Sequence, residues 1–357
     1  MLHLHLLSLA YLIVPAQAYP LRTALMERTR KVAFQIKGAR ERGDLARTAA
    51  LSRVARPLCG KCLDVAREVA KAESALGNWG ASARAWKVAC SHAHDVSYKD
   101  WIQFAIALNN SGNLEAAIAT LERAEKKFAA HEVKKRRKEF SALRRLDVRT
   151  LAHRDACHSV IYYKQKEPAD TVVLTFGTVS SGLGSTPFAY PFLVDSGFDH
   201  IHVAQEKHTF YQSLSLSEFV TVVSDACRGK RVIAYGSSLG GYGAIYFGGA
   251  VDAQIIAASP VNYLDKVIFR KRWAKIPMLH GIIAENPISS KAPVIFYDPL
   301  DDERDRIYLS SRVLPAYPNA VVVPLPGAGH EVFRELQKRG ILKRTILAII
   351  AGDPWDV

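Results

Sequence analysis

One stretch, Val232 to Tyr246, constrains the chain more than any other. An apolar run, Val232-Ile233-Ala234-Tyr235, ends in Gly236-Ser237-Ser238-Leu239-Gly240, and small and apolar residues then resume at helical spacing through Tyr246. Gly-x-Ser-x-Gly between a strand and a helix predicts a sharp, strained turn that lifts one serine hydroxyl clear of the backbone. Glycine is needed on both sides, because a side chain there would collide with the helix that follows. Ser238 is the serine so presented, and Ser237 precedes the turn and supports it.

Around this stretch the sequence alternates between short Val- and Ile-rich runs and helical patterns. Strands are expected at residues 157–163, 171–176, 200–204, 231–235, 254–258, 293–297 and 320–325. Helices are expected at 216–226, 240–248 and 304–314, with a closing helical region at 331–349. Such alternation implies a mainly parallel sheet covered on both faces. The two strands flanking the polar segment 164–170 are expected to pair as an antiparallel hairpin at one edge. Residues 260–291 break the rhythm and carry Phe269-Arg270-Lys271-Arg272-Trp273-Ala274-Lys275. This cluster reads either as a solvated basic connection or as an insertion over the site, in which case it favours anionic substrates.

A serine hydroxyl becomes a useful nucleophile only when a base removes its proton, and the base needs a carboxylate to fix its tautomer. His330 fits the base. It stands in Pro326-Gly327-Ala328-Gly329-His330, directly after the last strand, in a glycine-rich loop. The strand 293–297 runs into Asp298-Pro299-Leu300-Asp301-Asp302-Glu303-Arg304-Asp305, which offers four aspartates. Asp301 is the expected acid, a few residues beyond the strand, with Asp298 and Asp302 as alternatives; the remaining carboxylates are assigned to capping the next helix. The oxyanion of an acyl intermediate needs two aimed backbone N–H groups. Leu239 is expected to supply one, and Thr178 or Val179, in the loop after residue 176, the other.

With the serine motif, the acid and the histidine in this order, residues 157–350 resemble an α/β-hydrolase. The resemblance implies an α/β-hydrolase sheet, acyl transfer through a serine ester, and hydrolysis without a cofactor. Phe176-Gly177 replaces the His-Gly often found at the oxyanion strand, which matters little where backbone groups do the work. The expected activity is that of a serine esterase on a small-molecule or glycan acyl ester. The alternatives are an acyltransferase on the same fold and a catalytically silent scaffold. Fold alone names no substrate.

The N-terminal half is a different chemical object. Residues 1–150 carry 27 Lys and Arg against 14 Asp and Glu, a balance of +13, whereas the other 207 residues carry 21 against 20, or +1. Gly43-Asp44-Leu45, Gly77-Asn78-Trp79 and Gly112-Asn113-Leu114 recur at spacings of 34 and 35, and Ala55, Ala89 and Ala124 each follow twelve residues after a glycine. Phe128 follows the last of them as a groove-filling aromatic, where the first two units carry Cys59 and Ala93. Glycine permits a tight turn between helices and alanine a close helix approach. The period resembles the tetratricopeptide repeat, which implies stacked helix pairs and a surface for a protein partner or for docking. The expected divisions are an apolar segment at 1–20, helical repeats at 21–132, a basic helical connector at 133–152, and the hydrolase-like domain at 153–357.

Lys134 to Lys138 reads as a solvated helix face, and no nucleic-acid module accompanies it. Five cysteines over a long chain are no disulfide framework, which favours a reducing, cytoplasmic setting. Cys59 and Cys62, with Cys90, His92 and His94, offer a zinc set, but structural packing of the cysteines is the preferred reading. Leu2 to Val14 is apolar yet too short to span a membrane. It lacks a preceding basic residue, so a packing helix is preferred, with a signal peptide and export as the alternative.

Overall fold

The computed structural model describes residues 18–357 apart from 93–94, 155–156, 184 and 302, with side chains from residue 27 onward. The N-terminal expectation over residues 1–17, and those for His94 and Asp302, lie outside the described residues. The chain divides into two compact units at Ser141/Ala142.

The first unit is helical: α1 (Ala18–Glu41), α2 (Leu45–Ala55), α3 (Leu63–Ala75), α4 (Trp79–Ser91), α5 (Tyr98–Asn110), α6 (Leu114–Phe128) and most of α7 (His131–Leu143). The three repeated glycines end α1, α3 and α5 with φ of 73°, 73° and 84°, the left-handed geometry that glycine adopts without penalty. In each turn the residue after the glycine donates its N–H back five residues: Asp44 to Ala39, Asn78 to Glu73 and Asn113 to Leu108. Two of those residues also cap the next helix, Asp44 accepting from Arg47 N–H and Asn113 from Ala116 N–H. Ala55, Ala89 and Ala124 are fully buried. The 34- and 35-residue period is therefore one turn geometry used three times.

Cys59 is buried, and its carbonyl lies 3.4 Å from His92 Nε2. Among the described residues no three His, Cys, Asp or Glu side chains are grouped to hold a metal ion. On α7, Arg136 and Arg137 pair with Glu139 and Glu125, while Lys134, Lys135 and Lys138 face solvent. No helix of the described residues is long and apolar enough to cross a membrane.

The second unit is an α/β-hydrolase fold. Eight strands form one sheet: β1 (Leu146–Arg154), β2 (His158–Gln165), β3 (Thr171–Phe176), β4 (Asp199–Gln205), β5 (Arg231–Ser237), β6 (Gln254–Ala258), β7 (Val294–Tyr297) and β8 (Val321–Pro324), in the order β1-β2-β4-β3-β5-β6-β7-β8. Strands from β3 to β8 pair in parallel, and only the β1–β2 and β2–β4 pairs are antiparallel. Two expectations are corrected here. Strands β2 and β3 form no hairpin, because β4 lies between them. The stretch after Leu143 is a strand and not a helix: β1 is an edge strand exposed along most of its length, so it lacks the alternating apolar signal of a half-buried strand.

Side chains alternate across the sheet. Val172, Leu174 and Phe176 join one apolar layer with α9 (Leu216–Cys227) and α10 (Leu239–Gly249). Val173, Ile233, Tyr235 and Phe296 join the other, covered by Leu193 of α8 (Tyr190–Asp195) and by the helices Val332–Lys338 and Leu342–Ala351.

Within the β3–β4 pair, Thr175 Oγ1 lies 2.6 Å from His200 Nε2 and 2.9 Å from His202 Nδ1, all three buried. Burial, and for His200 also the neighbouring His202, pushes both imidazoles down from their ordinary value, His202 to about 3. Both stay neutral in the folded chain, whereas the unfolded chain protonates them below about pH 6.5. Stability is thus full above that value and declines on acidification by about 1.4 kcal/mol per pH unit for each histidine. Urea midpoints taken between about pH 7 and pH 5 check this; a level profile contradicts it.

Candidate active site

Ser238 sits between β5 and α10 with φ 57° and ψ −124°, a conformation rarely adopted by a residue with a side chain. Its N–H donates to Ala258 O at 2.9 Å, and its carbonyl accepts from Tyr242 and Val261. The glycine requirement is steric. A Cβ on Gly236 would lie 2.1 Å from the carbonyl oxygen of Gly240, and one on Gly240 would lie 2.6 Å from that of Phe176.

Three side chains from distant positions meet in line. His330 Nε2 is 2.8 Å from Ser238 Oγ, and His330 Nδ1 is 2.5 Å from Asp305 Oδ2. Asp305 is 4% exposed, on the first turn of α11 (Glu303–Tyr308). The expected carboxylate, Asp301, is not the one at the imidazole. The structure turns Asp305, four residues further on and assigned from sequence to helix capping, towards His330 instead. Asp301 lies beside the histidine loop, its Oδ2 3.9 Å from where a Cβ on Gly329 would stand.

Asp298 has a different task. Its two oxygens accept from Leu300 N–H at 2.8 Å and Gly329 N–H at 2.7 Å. Burial pushes its carboxyl up, but the amides of Leu300, Gly329, Gly327 and Ala328 outweigh burial and hold it below the usual range. The β7 loop thereby grips the β8 loop one residue before His330. Gly327 and Gly329, with φ of 79° and 69°, let that loop curl around the carboxylate.

The loop after β3 is fixed from behind. Gly177 O accepts from Tyr211 Oη. Thr178 O accepts from Gln205 Nε2 at 2.9 Å, Ser181 Oγ at 2.8 Å and Ser181 N–H at 3.2 Å. In a planar trans peptide the next N–H points opposite to the carbonyl. The N–H groups of Thr178 and Val179 therefore face away from these donors. Gln205 and Tyr211 went unnoticed in the sequence, since nothing local marks a buried glutamine or tyrosine as a brace for a loop some thirty residues away.

Ser238, His330, Thr178 and Val179 line one cavity of about 920 Å³. Phe188, Phe192, Tyr235, Tyr263 and Phe333 supply its apolar walls, and Arg270 and Arg272 of the 260–291 segment also line it. That segment is tied down by the Asp265–Arg312 pair, at 2.8 and 3.1 Å.

No family model matches the chain, and a search of curated proteins finds no match. Solved structures give distant likenesses. Esterase 2 of Thermogutta terrifontis is 16% identical over 60% of this chain and 98% of its own, with a TM-score of 0.43. Mouse alpha/beta hydrolase domain-containing protein 10 is 14% identical over 58% and 99%, at 0.40. An alpha-beta serine hydrolase homologue from Coxiella burnetii is 12% identical over 56% and 96%, at 0.36. What defines the fold is the strand order and its two helical layers.

The two aspartates of the β7 loop are separable by stability. Asp298→Ala strands two amides and is expected to cost about 1–3 kcal/mol, whereas Asp301→Ala is expected to stay within about 0.5 kcal/mol of wild type. Urea denaturation of the full chain measures both, and equal losses would contradict the assignment.

Proposed function

We propose that the chain is a serine hydrolase that cleaves acyl esters, with Ser238 as nucleophile, His330 as base and Asp305 as the acid that orients it. One observation carries this reading: the continuous Asp305–His330–Ser238 contact, at 2.5 and 2.8 Å, on a strained turn that opens into a cavity.

The chemistry follows from the atoms. Ser238 Oγ attacks the acyl carbon while His330 Nε2 takes its proton. The carboxylate of Asp305 accepts from Nδ1–H, which leaves Nε2 free to act and stabilises the imidazolium that forms. The carbonyl oxygen becomes an oxyanion, held by the N–H of Leu239 at the unpaired start of α10 and by that of Thr178 or Val179. His330 returns the proton to the departing alkoxide. Water then repeats the sequence on the acyl-enzyme, releasing the acid and restoring Ser238.

The helical unit is read as a tetratricopeptide-like repeat module for a protein partner. The threefold recurrence of one turn geometry and of a buried alanine supports this.

A fluorophosphonate probe is expected to label the wild type and Ser237→Ala but not Ser238→Ala. With an activated ester such as 4-nitrophenyl butyrate, Asp305→Asn is expected to lower kcat by about 10⁴, while Asp301→Asn stays near the wild-type rate. No labelling of the folded wild type, or equal losses in the two aspartate variants, would sink the assignment.

A further inference from the structure

Three successive carbonyls of the loop after β3 are each held from the end of β4 or the loop that follows it. Gly177 O accepts from Tyr211 Oη, Thr178 O from Gln205 Nε2 at 2.9 Å, and Val179 O from His208 N–H at 3.2 Å. Strand pairing of β3 ends at Phe176, so the peptide planes beyond it are oriented by these bonds and by the local turn that Ser181 closes on Thr178 O. In a trans peptide the N–H that follows a held carbonyl points the opposite way. Tyr211 therefore sets the direction of Thr178 N–H, and Gln205 that of Val179 N–H. These are the two candidates for the second oxyanion donor. The first donor, Leu239 N–H, needs no such brace, because the crowded β5–α10 turn fixes it.

The bracing loop is itself built under strain. His208, Phe210 and Tyr211 stand at φ of 64°, 53° and 60°, a left-handed geometry that residues with side chains rarely adopt. Such residues cluster where a site needs a fixed shape, and they persist only when their surroundings over-determine them. Here Gln205 and Tyr211 are fully buried. Gln205 Oε1 accepts from Tyr211 N–H at 3.2 Å and from Thr209 Oγ1 at 3.3 Å, which leaves the amide nitrogen to face Thr178 O. The Tyr211 ring packs edge-on to Phe176 and Phe247, with centroids 6.2 and 5.9 Å away. From the 260–291 segment, Leu279 and His280 donate their N–H groups to Gln212 Oε1 at 2.6 and 3.2 Å, and Trp273 lies against His208 and Phe210, with centroids 4.8 and 5.2 Å away.

We infer that Gln205 and Tyr211 are positioning residues for ester cleavage: they act from outside the cavity lining and hold the second oxyanion donor preformed, so that the loop does not reorganise as charge develops. This rests on the reading of Ser238 as the nucleophile. A preformed donor acts on the tetrahedral species and little on the bound ester, so its misplacement falls on kcat and leaves KM nearly unchanged.

Steady-state kinetics of the full chain on 4-nitrophenyl butyrate test this, with rates expressed per site titrated to completion by a fluorophosphonate, so that an unfolded fraction does not count. Tyr211→Phe keeps the ring and removes the hydroxyl, and Gln205→Met keeps the length and removes the amide. Each is expected to lower kcat by about tenfold to a hundredfold, with KM within about twofold of wild type. Affinity for butylboronic acid, which adds Ser238 Oγ to form a tetrahedral anion, should fall by about the same factor as kcat. Tyr317→Phe is the comparison. It too removes a buried hydroxyl, one that accepts from Ser289 N–H at 3.2 Å, and it is expected to keep the wild-type kcat. The larger loss identifies the donor, Thr178 N–H for Tyr211→Phe and Val179 N–H for Gln205→Met. Wild-type kcat and boronate affinity in both variants, or losses matched by Tyr317→Phe, overturn the inference and leave Ser238 as the nucleophile. A folded wild type that the fluorophosphonate does not label removes the reading of Ser238, and this inference with it.

Discussion

A single strained residue sets the geometry of the sheet-bearing unit. Holding Ser238 at positive φ costs about 1–3 kcal/mol, and such a conformation persists only where its surroundings over-determine it. Here they do so on every side. Its N–H and carbonyl are bonded to Ala258, Tyr242 and Val261, and the backbones at Gly236, Gly240 and Phe176 approach so closely that no Cβ fits between them. The same close approach seats α10 against β3 and β5, so the strain cannot relax without unpacking the centre of the sheet.

Parallel strands then do the assembling. Because β3, β5, β7 and β8 run the same way, the segments that follow them open at one edge. Four stretches far apart in sequence, around residues 178, 238, 305 and 330, reach one place without long excursions. Register alone does not aim a side chain, and the aiming falls to buried polar groups: Asp298 grips the amide of Gly329, and Gln205 and Tyr211 grip the carbonyls of Thr178 and Gly177. Each ties a loop to a neighbouring loop or strand, so the loops share the rigidity of the sheet.

This division explains what was legible in the sequence. The β5–α10 turn was readable because much of its constraint is local: a Cβ on Gly236 would meet the backbone of Gly240 and Gly241, so the turn itself demands glycine. His330 was readable because strand order and a glycine-rich loop place a histidine over the sheet edge. The carboxylate beside His330 was not, because Asp298, Asp301 and Asp305 share one short acidic run and only the three-dimensional path of that run decides which faces the imidazole. The path is bent by Asp298 binding the amides of Leu300 and Gly329, a non-local event that carries the chain on to α11. The strand β1 failed for the opposite reason, since an exposed edge strand buries too little to write a period into its residues. The glycine period of the helical unit was legible as turns, because a left-handed residue at each helix end is again a local demand.

Charge shows the same contrast between local and summed properties. Residues 151–357 balance to within one charge, 21 basic against 20 acidic, so composition predicts no field. Yet surface charges are screened beyond about 8–10 Å, and a ligand in a cavity feels the groups lining it far more than the total. Arg270 and Arg272 of the 260–291 segment are brought to the cavity lining by packing, through Trp273 on the β4 loop and Asp265 on Arg312. A nearly neutral unit can in this way gather basic side chains at one cavity, and what a ligand meets there depends on where the fold leaves its acids as much as on where it puts its arginines.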